Sequence, residues 1–185
     1  MKKTVLCGIL VLCCLLVGGA LWAQNSDKAV PRAKCKFCGM SPDYFTWSRV
    51  IIEYEDGTKV ATCSFHCACL ELVSKFARGV TKIYVGDYQT KELIDAETAF
   101  FAIGGDKGGV MAKTATWAFA KKEDAEKYVK EHGGAIGSFG DALNAGYKDI
   151  SDGIKQRRER DRAKANMTIT PQKQTAEMKS EQKTK

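Results

Sequence analysis

Residues 49–77 read RVIIEYEDGTKVATCSFHCACLELVSKFA. Residues 49–55 are rich in β-branched and aromatic side chains and are expected to form a strand with Val50, Ile52 and Tyr54 on one face. Asp56-Gly57 is a two-residue hairpin signal, and 58–63 is the expected return strand. Ser64 is a good helix N-cap, and 65–77 has helical spacing. At about 100° per residue, Phe65, Cys69, Leu72 and Phe76 form an apolar arc, while Cys67, Glu71 and Ser74 fall opposite. Cys69 therefore reads as a core thiol. Cys67, in the first helical turn, gains thiolate character from the helix dipole. Gly79 breaks the chain and 80–85 is a further strand, which gives strand, strand, helix, strand.

The same order recurs downstream. A buried strand is expected within 97–103, a glycine-rich loop over 104–109, a strand over 116–120 and a helix over 122–131 with Ala125, Tyr128 and Val129 inward. Gly133-Gly134 ends that helix, and 135–139 is the last strand expected. The fold class is α+β, built of two similar ββαβ-type halves at about 35–86 and 87–147.

Upstream, Lys2 and Lys3 precede an apolar run over 5–17, and Leu21-Trp22-Ala23 ends in a small residue. This is the pattern of a secretory signal peptide over 1–23, with a linker over 24–34, and it places the protein in the periplasm or cell envelope. A lipid anchor needs a small residue before its cysteine; Cys7 and Cys13 follow Leu, and Cys14 follows Cys13. Membrane attachment stays open. Residues 148–185 form a charged tail, with Arg157, Arg158, Arg160 and Arg162 among acids, expected as a short helix fraying into disorder. No aromatic residues interleave with these arginines, so the net charge of +7 does not point to nucleic acid.

Cleavage after Ala23 leaves Cys35, Cys38, Cys63, Cys67 and Cys69. An odd number in an exported protein argues against a purely disulfide framework. The run Cys35-Lys36-Phe37-Cys38-Gly39-Met40 supplies two thiols and a thioether, and Cys63-Ser64-Phe65-His66-Cys67 supplies two more thiols and an imidazole. Three readings fit. Thiolates with the Met40 thioether form a soft set suited to Cu(I). Four cysteines alone suit structural zinc. Cys35 and Cys38 could also act as a redox dithiol. Met40 reads as a ligand or a packed methionine, Met111 rather as a packed methionine than a ligand, His66 as a ligand or a half-buried ring, and His132 as structural. The glycine loop lacks the Lys-Ser/Thr ending of a phosphate-binding loop. With two histidines and no Ser/His/Asp set, the chain does not read as an enzyme.

Several stretches in order resemble the NosL family, the accessory proteins of nitrous-oxide reductase. They are 35–40, then Asp56-Gly57 leading to Cys63-Ser64, then Asp95-Ala96 with Phe100-Phe101, then the loop from Gly104 to Met111, then Phe119-Ala120, Asp124-Ala125 and His132-Gly133-Gly134. The chain beyond Tyr147 is outside the resemblance, and Val110 stands where the family often has proline. The resemblance implies a periplasmic Cu(I)-binding chaperone that supplies a copper-receiving client, nitrous-oxide reductase or its maturation machinery. It makes Cys35, Cys38 and Met40 the leading ligands, with Met111 a weaker one; Cys63 and Cys67 make this chain more thiolate-rich than the family pattern requires and keep zinc open, with His66 a further candidate.

Overall fold

The structure, a computed structural model, describes residues 34–181, with side chains described through residue 167. The expected signal peptide and nearly all of the linker lie outside the described residues.

Strand β1 (Val50–Tyr54) and β2 (Lys59–Thr62) form the expected hairpin, with Val50 opposite Thr62 and Ile52 opposite Val60. Its connection is longer than the Asp-Gly pair suggested. The amide of Tyr54 bonds the carbonyl of Thr58, and that of Gly57 bonds the carbonyl of Tyr54, so residues 55–57 form the loop. A two-residue type I′ turn needs positive φ at both central positions; here Gly57 is at +78° and Asp56 is not positive. Helix α1 (Phe65–Ser74) begins at Ser64, whose hydroxyl accepts from the Cys67 amide at 3.3 Å. The helix crosses to β3 (Val80–Gly86), which pairs with β1 on the side away from β2. A short strand, β4 (Leu93–Asp95), joins the outer edge of β3 and was not expected.

The second half repeats this path. β5 (Phe100–Ile103) is central, β6 (Thr116–Phe119) lies on one side, α2 (Lys122–His132) crosses over, and β7 (Ala135–Gly137) pairs on the other side. The sheet orders are β2-β1-β3-β4 and β6-β5-β7, so each half places its first strand between its second and third. The duplication expected from the sequence is present in the topology.

Three expectations are corrected. The first helix stops at Ser74, and Phe76, expected in its apolar arc, is 91% exposed. Phe139 does not end a strand; it opens helix α3 (Phe139–Glu181). The supposed tail is the continuation of that helix, which at 43 residues is about 64 Å long. The start of α3 had a readable cue. Ser138 and Asp141 cap each other, the Ser138 amide bonding Asp141 Oδ2 at 2.8 Å and the Asp141 amide bonding Ser138 Oγ at 3.3 Å.

The main core draws on both halves and on α3. Val50, Ile52 and Tyr54 share it as expected, together with Phe65, Cys69, Phe101, Ala118, Phe139 and Ala142. Leu143, Tyr147 and Ile150 extend it along α3. Gly146 is what lets α3 approach α1, because a Cβ there would lie 2.5 Å from Cys69 Sγ.

Candidate metal centre

Residues 35–40 fold into a tight knuckle. The Gly39 amide bonds the Cys35 carbonyl at 2.7 Å, and the Cys35 amide bonds the Met40 carbonyl at 2.8 Å. Gly39 takes φ +77°, a conformation open to glycine at little cost. The Met40 amide is aimed at Cys38 Sγ. Met40 thus serves the site first through its backbone, while its side chain packs against the thiols alongside Phe37, Phe45 and Val110.

The knuckle sets Cys35 and Cys38 against Cys63, at the end of β2, and Cys67, one helical turn further on. The four sulfurs lie within 4.8 Å of one another. Cys38 Sγ is 3.2 Å from Cys63 Sγ, and Cys67 Sγ is 3.9 Å from each of those two. A tetrahedral site with metal–sulfur bonds of about 2.3 Å has sulfur–sulfur edges of about 3.8 Å, so the group is already near the size of a filled site. Ser48 Oγ fixes the Cys63 end by donating to its carbonyl at 2.8 Å. Cys35, Cys63 and Cys67 are buried; Cys38 is partly exposed, and all four are free thiols.

Charge settles unequally over this group. Cys63 lies among the other three, and its hydrogen bonds with Cys67, then with Cys38, Ser64 and Cys35, outweigh burial and draw its thiol down to about 5. Cys67 is pushed up by its hydrogen bond with Cys63 and by burial. Burial raises Cys38 to about 11 against the pull of the Met40 amide. The helix-dipole argument favours Cys67 as the thiolate, whereas contact with the other thiols draws Cys63 down. A cation that displaces the remaining protons would then meet a complete thiolate set.

Cys67 and Glu71 lie on the helical face opposite the apolar arc, yet both are buried, because the knuckle covers that face. Glu71 accepts from Tyr54 OH at 2.9 Å and pairs with Lys36, so it ties the knuckle to β1. Burial first, then the bond to Glu71, raises the Tyr54 hydroxyl to about 12. Sequence reading missed Glu71; its position four residues after Cys67, on the same helical face, was the available cue.

The remaining candidates lie outside the four-sulfur group. His66 Nδ1 faces Asp149 Oδ2 of α3 at 3.2 Å, and Asp149 Oδ1 accepts from the amides of Lys113 and Thr114 at 3.1 and 3.2 Å. Met111 is 46% exposed on the glycine loop, at φ +60°. His132 meets Asp106 at 3.2 Å and stacks on Tyr128, in keeping with a structural part. Cys69 is wholly buried in the core, where desolvation lifts its thiol to about 12.

Two ββαβ units with four thiols gathered by a knuckle, a strand end and a helix start define a thiol-rich protein with a candidate metal site. The NosL family profile matches residues 28–145, and the chain belongs to that family. Similar solved structures include the crystal structure of the copper chaperone NosL from Shewanella denitrificans, 23% identical with a TM-score of 0.48, covering 57% of this chain and 86% of that one. The solution structure of apo-NosL from Achromobacter cycloclastes is 19% identical with a TM-score of 0.37, covering 50% of this chain and 82% of that one. Among proteins of curated function, none matches this sequence.

Proposed function

We propose that this protein is an exported carrier of Cu(I), which it holds through Cys35, Cys38 and Met40 together with Cys63 and Cys67 and gives to a copper-receiving client, nitrous-oxide reductase or its maturation machinery. The observation that carries this reading is the preformed group of four thiols with the Met40 side chain packed at its edge. Thiolates and thioethers are soft donors that favour Cu(I). Family membership and the copper chaperone named among the similar structures support the same reading. Cys38 is the partly exposed thiol, so exchange with a client would begin there. The role is one of binding, not catalysis. Its site of action is the periplasm or cell envelope, a reading supported by the basic and apolar N-terminal sequence.

One observation favours zinc as a second reading: the 3.9 Å sulfur–sulfur spacings match a tetrahedral Cys₄ site. A competition titration against a Cu(I) chelator and a Zn(II) chelator, reducing and oxygen-free, separates the two. Met40→Ala is expected to weaken Cu(I) binding by about tenfold, the lower end of what a lost partner costs a metal site, and to leave zinc unchanged. Cys38→Ala is expected to weaken both. Identical Cu(I) titrations for Met40→Ala and the unaltered protein would remove Met40 from the ligand set. Zinc outcompeting copper at equal free concentration would make the structural-zinc reading the better one. Metal-free protein isolated with an oxidised Cys35–Cys38 pair would point instead to a redox role.

A further inference from the structure

We infer that Asp149 is a positioning residue of the metal centre: it holds the loop before β6 over the thiols and ties that loop to the helix bearing Cys67. Asp149 lies past residue 145, where the match to the NosL family ends. Its carboxylate is used on both sides. Oδ1 accepts from two consecutive loop amides, those of Lys113 and Thr114, and Oδ2 meets His66, the neighbour of Cys67. The side chain is 11% exposed and that of His66 is 17% exposed, so the bridge is largely shielded from competing water.

The bridge bears on the thiols because of what the loop covers. Val110, three residues before Lys113, packs against Cys35, Cys63 and Cys67. Gly109, Val110, Ala112 and Thr114 also wall a small polar cavity with Ser64 and His66, which flank the cluster. Backbone amides bonded to a carboxylate are stronger than neutral pairs. Asp149 is the charged acceptor for these two amides, and the glycines before them let the stretch swing once it is lost. The first three turns of α3 thus pack the core, and the third also brings this carboxylate to the metal centre.

The test uses the metal-free, reduced protein, so it does not depend on the metal reading above. Maleimide labelling is followed cysteine by cysteine by mass spectrometry, alongside amide hydrogen exchange. In Asp149→Ala, exchange at Lys113 and Thr114 and labelling of Cys63 and Cys67 are expected to rise about tenfold, the scale of one lost bond to a charged acceptor. Labelling of Cys69, buried against α3, is expected to stay as it was. Asp149→Asn keeps an oxygen for the two amides and should restore most of the protection. His66→Ala, which only frees the carboxylate to turn, should produce the same change at smaller size. If Cys69 labels faster in step with Cys63 and Cys67, Asp149 merely docks α3 and the inference fails. It fails equally if the amides exchange faster while the cluster thiols label at the unaltered rate. A second readout rests on the proposed function: Cu(I) should leave loaded Asp149→Ala for a chelator several-fold faster. If the unaltered protein takes up no copper, the carrier reading falls, and the labelling pattern still decides the role of Asp149.

Discussion

Cys67 and Cys69 are two positions apart on one helix and meet opposite surroundings, as their helical phase required. Cys69 Sγ presses on Gly146, and Cys67 joins the sulfur group. Gly146→Ala should therefore destabilise the protein by about 1–3 kcal/mol through the clash with that sulfur. Cys69→Ala removes the obstacle, so the double variant should be more stable than the two single losses added together, a coupling readable by urea denaturation. Additive losses would show that the contact is not tight. Metal uptake should survive Cys69→Ala and suffer in Cys67→Ala. In the hairpin loop, Asp56 accepts from Thr58 and pairs with Arg78, and these hold its carboxyl down at about 2, below the ordinary 3.8. A depressed carboxyl contributes fully above its unfolded value and loses that contribution as pH falls through the folded one. The gap in melting temperature between Asp56→Asn and the unaltered protein should hold from pH 7 to about 4 and close toward pH 2. A gap unchanged at pH 2 would assign the effect to something other than charge.

At the level of elements, local sequence was enough wherever local rules decide. β1, the Ser64 cap and the glycine end of α2 follow from strand propensity, capping and backbone freedom, and each was legible. What was not legible is what covers each element. The polar side of α1 looked solvent-facing because the knuckle that buries Cys67 and Glu71 comes from some thirty residues earlier. Phe76 looked like core because helical phase was extended past Ser74, where the helix ends. The four thiols were legible as a set, whereas their reliance on α3 through His66 and Asp149 was not, since charged residues around 149 read as tail. α3 itself divides by burial. Phe139, Ala142, Leu143, Tyr147 and Ile150 pack, and almost all residues from 151 to 167 are exposed. Truncation after residue 154 should leave the melting temperature within about 2 °C of the full chain, because surface changes seldom exceed about 0.5 kcal/mol. Truncation after 141 strips apolar burial from the core and should abolish cooperative melting. Equal loss in both would mean that the projecting part of α3 is structural.

Taken as a whole, the molecule is two copies of one path, linked where the chain leaving β3 meets β6. Asp87 makes the joint. Its buried carboxylate accepts from the amides of Gln89 and Thr90 in its own turn and from that of Ala120 beyond β6, at 2.7, 2.7 and 2.6 Å. Beside it, the Tyr88 amide bonds the Ala118 carbonyl. Asp87→Ala should cost about 2–3 kcal/mol, the scale of losing bonds to a charged acceptor in a buried place. Because the main core spans both halves, tryptophan fluorescence and circular dichroism should report a single, coincident urea transition, before and after that change. Two separated transitions would mean that the halves fold independently.

All four clustered thiols belong to the first half; the second half follows the same path with Ala120 and Asp124 where Cys63 and Cys67 would stand. One copy thus holds the clustered thiols while the other is a cysteine-free frame, and the core between them closes mainly through apolar contacts. A zinc finger falls apart when its ion is taken. If the proposed carrier role holds, the scaffold should outlast its cargo, so that a single molecule could be emptied and refilled without being rebuilt.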